Sequence, residues 1–265
     1  MSLLVQAPAI GYEAGEPVLR DVELRVAAGE AVALLGGNGA GKTALLRFIS
    51  GLLPHAGGVC EIAGRRVRSP RQAVAAGVGL LVQDPDDQLL GTTLERDTAL
   101  GPRNLGYSDA EIATRVQDAL AIVELTALRQ REISSLSLGE KKRAALAGVL
   151  AMQPQLLLLD EPSAGLDPQA ERAVCQALVA LREQGRTLLV ATHAVDLVPH
   201  FATRVLIIAE GRILADGPCR EVLVQTELLA RARVRVPWPV ELWKRARPES
   251  NLPAPLTLDE LVAQL

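Results

Sequence analysis

The stretch from Ala31 to Thr43, AVALLGGNGAGKT, limits what this chain can fold into more than any other. An apolar run, Ala31 to Leu35, breaks at Gly36-Gly37, and apolar residues resume from Ala44 to Ile49. That reads as a buried strand, a glycine-rich turn and a helix. Gly36, Gly41, Lys42 and Thr43 fit G-x-x-x-x-G-K-[ST], in which backbone N–H groups wrap phosphate oxygens, the lysine reaches the outer phosphates and the hydroxyl ligates Mg2+. Gly37, Asn38, Gly39 and Ala40 complete the loop. The only lysines are Lys42, Lys141, Lys142 and Lys244, so a chance match is rarer than in an average chain. Nucleotide binding is the expectation on which the rest is built.

A formal net charge of -3 and six aromatic residues, two each of Trp, Tyr and Phe, disfavour DNA or RNA as the main ligand. Cys60, Cys175 and Cys219 are odd in number and far apart, which suits reduced, buried thiols better than disulfides or a zinc site. The first residues lack a basic region ahead of a long apolar core, and no stretch approaches eighteen uncharged apolar residues. A cytosolic protein that meets any membrane through a partner is expected.

Ahead of the phosphate loop, Val5-Gln6-Ala7 and the alternating Val18 to Val26 suggest two antiparallel strands. Tyr12, in the turn between them, either stacks on a base or packs on its neighbours. Gly57 to Val67 reads as a hairpin returning to that sheet, and Val78 to Val82 as a short buried strand ending at Gln83. Asp84-Pro85-Asp86-Asp87-Gln88 follows, either a solvated acidic turn or a socket for a basic partner. Between Thr92 and Ser135 the pattern is helical, with a capping box at Ser108 and Glu111 before Ile112, Val116, Leu120 and Val123. Strand runs return at Gln155–Leu159, Arg186–Ala191 and Val205–Ile208, the first two separated by a helix from Gln169 to Arg182. Apolar strands alternating with helices make a parallel sheet covered on both faces, with ligands at the strands' carboxyl ends.

Asp160-Glu161 follows the four-leucine strand at that end. Beside a phosphate loop, Asp160 is suited to hold Mg2+ and Glu161 to orient or deprotonate the attacking water. His193, ending the next strand, can reach the γ-phosphate from the same edge.

Taken together, Gly36–Thr43 (Walker A), Gln83 after a strand, Leu136-Ser137-Leu138-Gly139-Glu140 opening a helix, Leu156–Glu161, Gly165-Leu166-Asp167 and His193 resemble ABC-transporter ATP-binding subunits in order and spacing. The resemblance spans Tyr12 to about Leu223. It implies an α/β P-loop NTPase fold: a parallel core sheet, an N-terminal antiparallel β-subdomain and an inserted helical signature subdomain at about 92–150. It further implies two copies meeting head to tail, each signature loop closing on the nucleotide held by the other. Ser137 and Gly139 at a helix start offer N–H groups and positive dipole to a γ-phosphate. By resemblance Tyr12 stacks on adenine, Gln83 contacts Mg2+ and water, His193 is the γ-phosphate switch, and Glu140 and Asp167 belong to the nucleotide site. Two departures stand out: Ser-Leu-Gly-Glu at Ser137–Glu140 replaces the usual Ser-Gly-Gly-Gln, and Ala194 follows His193 where Asp is common.

Within that family, Val82–Leu89 with Gly101–Gly106, Lys141-Lys142-Arg143 followed by Ala147–Met152, and Asp196–Pro199 resemble the energy-coupling-factor (ECF) ATPases, in particular the cobalt and nickel type. This resemblance implies a peripheral Mg-ATPase at the cytoplasmic face of the cell membrane. It would pair with a second ATPase subunit, a membrane T component and a substrate-binding subunit. The transported ion would have no site on this chain. The Asp84-Asp86-Asp87 cluster has the charge to receive Arg motifs of a T component. Vitamin uptake is the alternative cargo. A soluble, non-transport ABC ATPase is the rival of another class, and it usually carries a coiled coil, zinc module or second cassette that this chain lacks.

Residues 1–225 are read as the ATPase domain and 226–265 as a C-terminal extension. Its last residues carry a second capping box, Thr257-x-x-Glu260, with Leu258, Leu261, Val262 and Leu265 on one face. That stripe is expected to steady an ATPase dimer, an idea that truncation after Ser250 tests.

Overall fold

The computed structural model describes residues 2–12, 16–55, 57–249 and 252–264. Among these residues the strands are β1 (Leu3–Ile10), β2 (Leu19–Val26), β3 (Ala31–Leu35), β4 (Val59–Ile62), β5 (Arg65–Arg66), β6 (Val78–Leu81), β7 (Leu156–Asp160), β8 (Thr187–Ala191), β9 (Arg204–Ala209) and β10 (Arg212–Pro218). Alternating burial in β1 and β2 gives one wet and one dry face. They pair antiparallel, Leu3 against Val26 and Ile10 against Leu19, in a sheet ordered β2-β1-β4-β5.

Every residue of β3, β7 and β8 is buried, as a sheet covered on both faces requires. The second sheet runs β10-β9-β3-β8-β7-β6, parallel except for the β9–β10 pair. It divides two apolar cores, and the strand period of two decides which residue faces which. Val32, Leu34, Leu158, Leu189 and Leu206 face the antiparallel sheet and the helix Lys42–Ile49. Ala33, Leu35, Leu159, Val190 and Ile207 face the inserted helices and the C-terminal segment. A fully buried leucine in such a position contributes about 1.5–3 kcal/mol.

The block between Thr92 and Ser135 is helical, as its periodicity predicts, with one isolated bridge from Thr93 to Glu132. Ser108 and Glu111 close a capping box, and the helix Asp109–Ile122 buries Ile112, Val116, Ala119 and Leu120 against the helix Leu138–Ala151. Cys60, Cys175 and Cys219 are buried and unpaired. Burial pushes their thiols up to about 12, 11 and 11, leaving them inert.

β10 is absent from the sequence reading, because its side chains are nowhere fully buried. Its backbone ladder on β9 holds it, and Gly211 at the turn accepts the Arg20 N–H at 2.7 Å, tying the two sheets together. The C-terminal segment packs onto the cassette. Leu229, Ala232, Val234, Val240 and Leu256 join the main core rather than forming one of their own. In the last helix, Leu258–Ala263, Leu261 is buried while Leu258 and Val262 are 53% and 61% exposed. Thr257 caps the Glu260 N–H, but the Glu260 carboxylate goes to the Leu256 N–H and to Arg220 instead of completing a box. Ser250 and Leu265 lie outside the described residues.

Candidate nucleotide site

β3 brings the chain to Gly36, where a Cβ would stand 2.2 Å from the Ile208 carbonyl oxygen of β9. At Gly41, with φ 109°, a Cβ would meet the Leu19 side chain at 2.7 Å. Both corners of the loop therefore need glycine. The helix Lys42–Ile49 begins with Gly41 as its N-cap and no side chain capping it, so its first amides and its dipole stay available to an anion. Lys42 is 6% exposed. Its Nζ donates to the Gly36 carbonyl at 2.8 Å and stands 3.7 Å from Glu161 Oε1.

Asp160 ends β7, paired with Ala191 of β8. Ala191 also pairs with Leu34 of β3, so the three strands release their loops at one level. Asp160 is buried beside the Thr43 hydroxyl, and its Oδ1 has no hydrogen-bond partner. Burial pushes its carboxyl pKa up, with the Glu161 charge adding to that, against the pull of Thr43 and Lys42. An orphaned buried carboxylate oxygen beside a threonine hydroxyl is an oxygen donor set suited to a small hard cation.

Glu161 is also buried. Its Oε2 accepts the His193 N–H at 3.2 Å and lies 2.8 Å from His193 Nδ1. A carboxylate only accepts, so Nδ1 carries the proton in that bond. A cavity of about 470 Å3 is lined by Tyr12, Asn38, Gly39, Ala40, Gly41, Lys42, Thr43, Gln83, Asp160, Glu161 and His193, among others. Gly36 and Gly37, which open the loop, are not among the residues lining this cavity. Tyr12 is half exposed at the rim, its hydroxyl 3.4 Å from Arg47 Nη1.

Gln83, exposed just beyond β6, also lines a second cavity of about 580 Å3 with Thr43, Asp84, Asp87, Leu138, Lys142 and Asp160. The acidic turn is partly spoken for. Asp84 accepts the Asp86 N–H at 3.0 Å, Asp86 pairs with Lys141 at 2.7 Å, and Asp87 is exposed at the cavity edge.

Ser137, Gly139, Glu140 and Asp167 do not line the cavity that holds Lys42 and Glu161. The Ser137 hydroxyl accepts the Glu140 N–H at 3.3 Å and the Glu140 carboxylate accepts the Ser137 N–H at 2.7 Å, closing the helix start. The Ser137 N–H holds the Glu140 carboxyl below the usual carboxylate range, against its partial burial. Glu140 is thus engaged within its own helix. Asp167 likewise caps the helix Pro168–Glu183, accepting the Gln169 and Ala170 N–H groups at 2.9 Å each.

Two contacts escaped the sequence reading. Lys142, 8% exposed, donates to the Glu161 carbonyl at 3.3 Å. Burial lowers its pKa, against the pull of Glu161, Asp84 and Asp160. Its signal was readable, since Ala145, Leu146 and Val149 place it in a buried helical stripe. The other contact left no signal: the Ala232 carbonyl accepts the Gly37 N–H at 3.0 Å, joining the phosphate loop to the C-terminal segment.

A phosphate loop and an acidic strand end on a parallel sheet, with an inserted helical block, define a P-loop ATPase of the cassette kind. The ABC transporter family model matches residues 19–164. The energy-coupling factor transporter ATP-binding protein EcfA of Methanosphaera stadtmanae is 36% identical over 244 residues, covering 91% of this chain and 88% of its own. The solved structure of cbiO1 from Clostridium perfringens, part of the ABC transporter complex cbiONQ, has a TM-score of 0.77 and 33% identity, covering 91% of this chain and 98% of its own. A dimeric ATP-binding cassette bound to ADP and Pi in a post-hydrolysis state matches with a TM-score of 0.74 and 25% identity, over 82% of this chain and 99% of its own. The chain belongs to the ABC transporter family, as an ATP-binding and ATP-hydrolysing cassette. No helix among the described residues is long and apolar enough to cross a membrane.

Proposed function

We propose that this chain is the peripheral ATPase of an ECF importer, working as one of a pair of cassettes at the cytoplasmic face of the cell membrane with a T component and a substrate-binding subunit. The observation that carries the hydrolytic part is the Glu161 carboxylate, buried between Lys42 and His193 at the mouth of the phosphate loop. In this reading the loop amides from Asn38 to Thr43 and the Lys42 ammonium hold the phosphates, and Tyr12 at the rim stacks on the adenine. Glu161 takes a proton from the attacking water, and His193 holds Glu161 Oε2 while facing the γ-phosphate. Thr43, Asp160 and Gln83 would hold Mg2+, which when bound neutralises charge on the phosphates. Ser137 and Gly139 serve the nucleotide of the second cassette, an assignment supported by their absence from the lining of the cavity that holds Lys42 and Glu161. Glu140 and Asp167 support that signature surface by capping its helices.

The ECF assignment draws support from an EcfA relative alike over nine-tenths of the chain and from the acidic turn beside the larger cavity. Cobalt or nickel is the favoured cargo on the motifs at Val82–Leu89 and Lys141–Arg143, with vitamin uptake the alternative. Native mass spectrometry of the tagged chain, purified from its own membranes in mild detergent, tests both. A T component with a metal-binding subunit is expected. A vitamin-binding subunit would redirect the cargo, and a non-transport complex would sink the importer. For the chemistry, Glu161→Gln should lower turnover by roughly 10²- to 10⁴-fold while ATP still binds; normal turnover would remove Glu161 from the mechanism.

A further inference from the structure

Glu161 has φ 50°, in the left-handed region. A non-glycine residue held there costs of order 1–3 kcal/mol and persists only where its surroundings over-determine it. The Glu161 N–H donates to the Ala191 carbonyl at 2.8 Å, and its own carbonyl accepts the Ala164 N–H at 3.2 Å and the Lys142 ammonium at 3.3 Å. The first bond goes to the last residue of β8 and the second stays within the loop after β7. Lys142 comes from the second turn of the helix Leu138–Ala151, whose start is the signature loop.

A buried ammonium is costly unless it is paired and hydrogen-bonded, and an apolar side chain of similar volume is often the more stable occupant. Packing alone therefore does not account for a lysine that is 8% exposed. Its charge faces Asp84, Asp160 and Glu161, and it borders the same cavity as Thr43, Gln83 and Asp160. Its hydrogen bond goes to the Glu161 carbonyl, and so to the backbone from which the carboxylate-bearing side chain starts.

We propose that Lys142 is a positioning residue: by holding the Glu161 carbonyl it fixes the Cα–Cβ direction that aims the carboxylate between Lys42 and His193. The inference rests on Glu161 being the general base. It has a structural corollary. Ser137 lies five residues before Lys142 on one helix, about 7.5 Å along its axis. A displacement of the signature loop on engaging a second nucleotide is thereby carried to the Glu161 backbone through a single rigid element.

The test is steady-state ATP hydrolysis and equilibrium ATP binding by the full chain for Lys142→Met, Lys142→Gln and Glu161→Gln. Methionine, one atom shorter than lysine and equal in reach to glutamine, removes the donor, so kcat should fall roughly 10- to 100-fold, the scale of a misplaced catalytic group, with KM for ATP within about twofold. Glutamine keeps a neutral donor and should recover to within about threefold of the parent. Lys142→Thr, too short to reach the carbonyl, carries the same expectation as methionine and replaces it if that variant does not fold. Parent-like kcat in the donor-less variant beside an impaired Glu161→Gln overturns the inference and leaves the general base standing. So does a loss confined to KM, or an equal loss in the methionine and glutamine variants. An unimpaired Glu161→Gln overturns both together.

Discussion

Two helices of this molecule begin with loops suited to phosphate, and they are finished differently. The helix Lys42–Ile49 starts at Gly41 with no capping side chain, and Lys42 folds back over the loop. The signature helix Leu138–Ala151 starts with its orphan amides partly closed by Ser137 and Glu140, and a carboxylate sits on its positive end. An uncapped start binds an anion by itself, because its N–H groups have no other partner in the fold. A capped start is stable without ligand, and what it can still offer is the Ser137 hydroxyl proton and the Gly139 amide. Under the proposed function, the open end would hold nucleotide and the capped end would meet that of a second cassette.

The sharpest way to break this contrast is at Lys42. Lys42→Ala should lower ATP turnover by about 10²- to 10³-fold by removing a positioned cation. It also removes the nearer of the two lysine ammonium groups that face the buried Glu161 carboxylate, a loss of stability readable by urea unfolding. Gly41→Ala comes next. Strain at φ 109° and the contact with Leu19 should cost about 1–3 kcal/mol and weaken ATP binding measured by calorimetry. Ser137→Ala should cost about 1 kcal/mol through the lost cap. It should also leave ATP affinity of the dilute single chain unchanged while lowering turnover at concentrations where chains pair. Weakened binding by the single chain would mean that the signature loop serves its own site, and the contrast would fall.

The smallest effect is at Glu140. Glutamine there still accepts the Ser137 N–H but removes the charge at the helix start, costing about 0.3–1 kcal/mol at neutral pH. The Glu140 carboxyl is held below its ordinary value of 4.5. Its stabilisation is therefore complete above that value and is lost as pH falls through the lowered one. Glu140→Gln should remove this component of acid sensitivity, so the gap between parent and variant in urea unfolding should close on moving from neutral to acid pH. A gap that stays constant would show that the charge of Glu140 does not stabilise the helix start.

Much of the architecture was legible because its signals are local. The glycine-lysine spacing specified a turn, the five-residue apolar runs specified strands buried on both faces, and Ser108 and Glu111 marked a helix start that forms as read. Asp160, Glu161 and His193 were legible as a group because each lies within two residues of the end of such a run. β10 was not, since an edge strand held by its backbone ladder needs no apolar alternation. The acidic turn at Asp84–Asp87 read either as solvated or as a socket, and nothing local in it pointed to the lysine 55 residues away that Asp86 meets.

By itself, then, the sequence determined the phosphate loop, the parallel core and the acidic strand end, because each is encoded by neighbours within a few residues and by the periodicity of burial. The tertiary structure alone decided how those parts are held. It set the Lys142 ammonium on the Glu161 carbonyl and the Ala232 carbonyl on the Gly37 amide, and it merged the C-terminal segment into the main core. These are contacts between backbone groups and residues far apart in the chain. A carbonyl or an amide is the same at every position, so only the folded path of the chain selects which one is met.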